Sequence, residues 1–236
     1  LIESGPGVLP RFPAALQAKA ARHLQTLGVD VRFSTRAETI DARGVVAAGE
    51  RIDADTVLWA AGVEGSPLAT NLGAPLDHKG RVLVTQTLNV PYHPEVFVIG
   101  DLAALKQKGR PIPGVAMAAM QEGRYAARAL LRLTSGKSIT EAFHFRDKGA
   151  LATIGRGNAV ASLPGGIRLS GKSGWLVWMG VHVFYLIGFR NRLAVMLEWA
   201  WSYFTRRPGH LLAPARRGPA RILRTPRLRP PGRLKK

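Results

Sequence analysis

The stretch Val96-Phe97-Val98-Ile99-Gly100-Asp101-Leu102-Ala103 decides the fold. Its four consecutive apolar residues, 96–99, predict a strand buried on both faces, since a strand covered on one side alternates apolar with polar residues. Gly100 lets the backbone turn sharply or a ligand come close. Asp101 then sets a carboxylate at the carboxyl end of the strand, where ligands bind in open α/β sheets. Such a carboxylate accepts hydrogen bonds from sugar or polyol hydroxyls, or it caps a turn or helix start. The stretch alone leaves both open.

Downstream, a basic loop at 106–110 leads through Pro111-Ile112-Pro113-Gly114 into a predicted helix at 115–133, rich in Ala, Met, Leu and Gln, with Gly136 just beyond its end. The small residues at its start and the positive end of its dipole suit a flat anionic ring; an ordinary amphipathic core helix is the alternative. Upstream, Gly80-Arg81-Val82-Leu83-Val84 predicts a strand returning toward Val96. Thr56-Val57-Leu58-Trp59-Ala60-Ala61-Gly62 predicts a second buried strand ending in small residues, which serve either tight packing or the approach of backbone to a ring. Leu1-Ile2-Glu3 reads as a strand end before the turn Ser4-Gly5-Pro6-Gly7. Residues 13–27 read as a helix that starts at Pro13, buries Leu16, Ala20, Leu24 and Leu27 on one face, and stops at Gly28. A strand at 29–33 and two or three short strands through Ile52 follow.

Composition sets limits. The 236 residues allow one or two domains, and 46% hydrophobic content supports a sizeable core. With no cysteine there is no disulfide, thiolate metal site or dithiol redox chemistry. The net charge of +19, from 34 basic and 15 acidic residues, calls for an anionic partner. Residues 206–236 hold 11 Lys or Arg and no acid, and six prolines follow Thr205. This tail is expected to be disordered and to favour an anionic membrane surface. Nucleic acid is not expected, because the tail has no aromatics for base stacking.

Residues 174–189 carry no charge, and 193–204 are apolar apart from Glu198 and Ser202. Trp175, Trp178, Trp199 and Trp201 cluster there. Two helices lying in one leaflet are expected, with Arg190 and Arg192 at the headgroups. A spanning helix or a soluble core pair are the alternatives. His182 lacks a ligand partner at suitable spacing, so a packed, hydrogen-bonded histidine is expected and no metal site.

Three segments in this order resemble the type II NADH dehydrogenases, single-subunit NADH:quinone oxidoreductases that do not pump protons: Gly100-Asp101; Ala116-Met117-Ala118-Ala119-Met120-Gln121; and Asp147-Lys148-Gly149 followed by Leu151-Ala152-Thr153-Ile154-Gly155-Arg156. The family's Ala-Gln-x-Ala-x-Gln motif keeps its second Gln as Gln121, while Met117 replaces the first. The resemblance runs from Leu1 to about Leu212. It implies an α/β fold: part of a two-dinucleotide-binding-domain (Rossmann-like) flavoprotein, then a small antiparallel sheet containing 143–149 and 151–156 and continued by 158–161, then amphipathic membrane helices. The implied domains are 1–75 (carboxyl part of the NADH domain), 76–137 (return segment of the FAD domain), 138–204 (sheet and membrane helices) and 205–236 (polybasic tail).

The implied cofactors are FAD, held by Gly100, Asp101, Ala118 and Gln121, and NADH, met by Glu3 at the adenosine ribose and by Ala61 and Gly62 near the nicotinamide. An acid at position 3 favours NADH over NADPH. A quinone pocket is implied at Met117, Gln121 and Lys148, with hydride passing from NADH to flavin and two electrons onward to a membrane quinone. A peripheral position on the cytoplasmic face of the inner (cell) membrane is implied, and a homodimer is compatible with it. Neither glycine fingerprint, for FAD or NADH, lies within the chain. That makes a catalytically incomplete fragment that keeps its membrane attachment the first alternative, and a soluble flavin reductase relative the second.

Overall fold

The computed structural model describes residues 1–186 and 188–205. The chain divides into two compact units, the break falling after Val181.

In the first unit, α1 (Ala14–Thr26) starts behind Pro13 and buries Leu16 and Ala20. The strand expected at 29–33 reduces to a parallel bridge between Ile2 and Arg32. The reason is local: only residues 1–3 run beside it, giving Arg32 N–H to Leu1 O and Glu3 N–H to Arg32 O, both 2.9 Å. The short strands expected next form an antiparallel meander of β1 (Ala37–Asp41), β2 (Gly44–Ala47) and β3 (Glu50–Asp53), with β2 central.

Residues 56–62 are not a buried strand. Leu58 is 87% exposed and Trp59 67% exposed. No strand among the described residues lies beside this segment, and an unpaired backbone takes its hydrogen bonds from water at the surface.

Next come β4 (Val82–Leu83), β5 (Asn89–Val90), β6 (His93–Phe97), β7 (Ala103–Ala104), β8 (Lys106–Gln107) and β9 (Arg110–Pro111), then α2 (Ala116–Thr134). β4 pairs with β7 in parallel, β5 with β6 and β8 with β9 antiparallel. The deciding strand therefore ends at Phe97 and is not buried on both faces. Val98 is buried, Val96 and Phe97 are half-buried and Ile99 is exposed. β6 has β5 as its one paired neighbour among the described residues, so its far edge carries no strand.

Beyond α2, β10 (Ala150–Thr153), β11 (Ala159–Ser162) and β12 (Arg168–Ser170) make an antiparallel sheet with β11 central. The expected strand at 143–149 does not join it, whereas β12 was not foreseen. α1 packs on this sheet through Leu16, Ala20, Ile154 and Val160. A second core lies under α2 (Leu88, Leu105, Ile112, Ala118, Tyr125, Ala129, Phe143), and a third gathers Ala69, Val82, Val90, Val98 and Ala103.

The two expected apolar helices are present as α3 (Gly171–Tyr185) and α4 (Phe189–Thr205). No described helix is long and apolar enough to cross a membrane. The polybasic tail, 206–236, lies outside the described residues.

Candidate functional site

Gly100 sits at φ +70°, a conformation costly to residues with a Cβ, and opens a one-turn 3-10 helix, Gly100–Leu102. Its N–H donates to the carboxylate of Glu122 on α2. Glu122 is 3% exposed. Burial pushes its carboxyl pKa up and the neighbouring Asp101 charge adds to this, against the opposing pull of the Gly100 N–H. Glu122 was missed in the sequence. The clue was an acid on the apolar stripe of α2, where Ala118, Glu122, Tyr125 and Ala129 follow at spacings of four, three and four.

Asp101 is exposed and makes no side-chain hydrogen bond or ion pair among the described residues, and the turn it sits in has no side-chain cap. The capping role is thus not used here. A Cβ built on Gly114 would lie 3.3 Å from Asp101 Oδ1, so a larger residue there would crowd the carboxylate.

α2 also starts without a side-chain cap. Ala118 and Ala119 give their N–H groups to Val115 O at 2.9 and 3.1 Å, which leaves the N–H groups of Ala116 and Met117 open to an outside acceptor. Ala118 turns its methyl into the core, 2% exposed, so its side chain does not face a ligand. Ala116 is exposed and Met117 and Ala119 are half-buried, and these present the start of the helix.

Gln121 is engaged at both polar atoms. Its Nε2 donates to Arg146 O and its Oε1 accepts from Arg146 N–H, each at 3.0 Å. Gln107 holds Phe145 the same way, at 3.0 and 2.8 Å. Two side-chain amides thus give Phe145 and Arg146 the backbone partners that a neighbouring strand would give, and 143–149 joins no sheet among the described residues. Lys148 follows, exposed, just before the sheet.

Glu3 accepts the Gly5 N–H at Oε1, 2.7 Å, beside the Ile2–Arg32 bridge. Ala61 and Gly62 are exposed. The chain thus gathers Gly100, Asp101, Met117 and Gln121 around the β6–α2 connection. No hydrogen bond among the described residues ties Glu3, Ala61 or Gly62 to that group. His182 is exposed on α3, not packed inside. Among the described residues no three His, Cys, Asp or Glu side chains could hold a metal. A cavity of about 290 Å³ lies elsewhere, between α1 and the β10–β12 sheet, and none of the predicted site residues lines it.

Comparison with known proteins completes the picture. Residues 1–123 match the pyridine nucleotide-disulphide oxidoreductase family, and residues 148–208 match the NDH2 C-terminal domain. The type II NADH:quinone oxidoreductase NdhA of Mycobacterium tuberculosis is 35% identical, over 95% of this chain and 50% of the relative. The enzyme of the same description from Staphylococcus haemolyticus is 31% identical, over 70% of this chain and 42% of the relative. The chain spans about half the length of the curated relatives it matches. Among solved structures, NDH2 from Plasmodium falciparum in complex with NADH superposes at a TM-score of 0.74 and 16% identity, covering 89% of this chain and 58% of that one; it supports the fold.

Proposed function

We propose, from the premise that this chain belongs to the pyridine nucleotide-disulphide oxidoreductase family and within it to the type II NADH dehydrogenases, that it serves NADH:quinone oxidoreduction without proton pumping. Bound FAD would supply the redox chemistry, taking hydride from NADH and passing two electrons to a membrane quinone. The chain's own residues fit that group. Asp101 offers a carboxylate that the fold leaves unused, flanked by Gly100 and Gly114, to accept hydrogen bonds from hydroxyls of the flavin chain. Glu122 holds the Gly100 turn that aims it. The open start of α2 directs N–H dipoles at negative charge on the ring. Gln121, pinned to Arg146, fixes the wall that carries Met117 and leads to Lys148. Met117 gives an apolar surface to the quinone where the family motif carries an amide. Glu3 would accept a ribose hydroxyl of NADH at its second oxygen, and Ala61 with Gly62 would leave room for the nicotinamide.

Membrane attachment on the cytoplasmic face rests on α3, with Leu176 and Phe184 exposed, and on α4, with Leu193, Met196, Leu197, Trp201 and Phe204 exposed. Anionic lipid would be drawn by Arg190, Arg192 and the basic residues of 206–236.

The exposed, unpartnered Asp101 behind the Gly100 turn carries this reading. In the flavin-loaded protein, Asp101→Ala should weaken FAD at least about tenfold, the loss expected with a charge-assisted hydrogen bond. Visible flavin absorbance after gel filtration measures it, and unchanged flavin content would sink the assignment. The same exposure favours a second reading, that the 236-residue chain by itself holds FAD weakly. Tight stoichiometric FAD on this chain would overturn that one.

A further inference from the structure

We propose that the cavity between α1 and the β10–β12 sheet is an oxyanion site that takes a phosphate group. None of the residues proposed above for FAD, NADH or quinone lines it. Its volume, about 290 Å³, lies near the lower end of small-molecule sites. Lys19, Arg22, His23 and Thr26 line it from α1, and Asn158 and Ser170 line it from the sheet side. The four α1 residues recur at helical spacing, so they share one face. No carboxylate is among the lining residues, so the two cations are not neutralised there.

The cluster is built. Lys19 Nζ donates to Ser170 Oγ at 3.0 Å, which fixes the ammonium across the cavity and leaves it two donors. Arg22 makes no hydrogen bond or ion pair among the described residues, so its whole guanidinium fork is available. The Thr26 hydroxyl donates its one hydrogen to His23 O at 2.7 Å. Its oxygen lies 3.3 Å from His23 Nδ1 and so accepts from that nitrogen. That leaves Nε2, which is buried and has no hydrogen-bond partner. Nε2 has almost no accessible surface, so an anion in the cavity would meet the exposed Lys19 and Arg22, and the adjoining His23 ring would report its arrival. Gly171, the first residue of α3, is also on the lining and brings the positive end of that helix dipole.

The phosphate could belong to a lipid headgroup or to a free anion. α3 leads away from the rim with Leu176 exposed, which would bring the mouth to the root of a lipid-facing helix. Ring resonances of His23 in the 236-residue chain, assigned by their loss in His23→Gln, separate the two sources. Inorganic phosphate and a short-chain phosphatidylglycerol below its micelle concentration are the probes. Saturable shifts with phosphate alone identify a free anion; shifts with the phosphoglycerol lipid only identify a headgroup. Either outcome requires Lys19→Gln with Arg22→Gln to weaken binding about tenfold or more. Both side chains are exposed, so the double variant should keep its helix content by circular dichroism. If neither probe moves the His23 resonances, or the double variant binds as tightly as the parent, the site does not exist.

Discussion

Residues 96–100 and residues 56–62 are built alike: an apolar run that closes on glycine. The fold treats them oppositely. The first runs from β6 into the Gly100 turn, pairs with β5 and is gripped by Glu122 from α2. The second lies in the open with Leu58 and Trp59 exposed. It is secured beyond its end, where Gly65 N–H donates to Lys79 O at 2.8 Å and a Cβ on Gly65 would lie 2.0 Å from Gly80 O. The contrast teaches that an apolar run asks for cover but does not provide it. Partner elements do, and among the described residues only the first run has them.

The largest effect should come from removing that cover. Tyr125 packs edge-on against Phe143, ring centroids 5.6 Å apart, and donates to Glu141 O at 2.6 Å. Tyr125→Ala should lower stability by about 3–5 kcal/mol in urea unfolding. A loss under about 1 kcal/mol would mean that α2 does not support the first run.

The anchor of the second run should show next. Burial pushes Asp77 up, but the Arg81 N–H and guanidinium and the Lys79 N–H outweigh it and hold its carboxyl at about 2. That value lies below the unfolded one, so the stabilisation is present above about pH 4 and is lost as pH falls through about 2. It is worth about 2 kcal/mol. Asp77→Asn should remove this acid limb from the stability profile, and an unchanged profile would show that the loop carries no load.

Glu122 should give a smaller effect of opposite sense. Its pKa is raised in the fold, so its neutral form is favoured; stability is greatest below the ordinary Glu value and declines as pH rises through the raised one. Glu122→Gln keeps an acceptor for the Gly100 N–H and should flatten that decline. Persistence of the slope would place its origin elsewhere. Leu58→Ser should change stability least, within about 0.5 kcal/mol, because the side chain is already in water. A large loss would show that 56–62 is covered after all.

Legibility followed the range of the forces. The helices read at 13–27 and 115–133 appear as Ala14–Thr26 and Ala116–Thr134, since apolar periodicity and Pro or Gly boundaries act within a few turns. The strands fared worse. The run at 29–33 shrank to a bridge, 143–149 stayed outside the sheet, and β12 was unforeseen, because a strand exists only with a partner distant in the chain. At the site, Asp101 was legible from the glycine before it. The grip of Glu122 on Gly100 and the clamp of Gln121 on Arg146 were not, since each joins residues separated by more than five turns of helix-length chain or by an intervening loop.

By itself, then, the sequence determined where α1 and α2 begin and end, that these 236 residues offer no thiol, and that a carboxylate follows the turn at Gly100. These depend on residue chemistry and on neighbours a few positions away. The tertiary structure alone decided which apolar run is sheltered, which amide is spent on backbone, and that a buried acid holds the turn. Burial and hydrogen-bond pairing depend on which distant segments arrive side by side, and one-dimensional order does not carry that information.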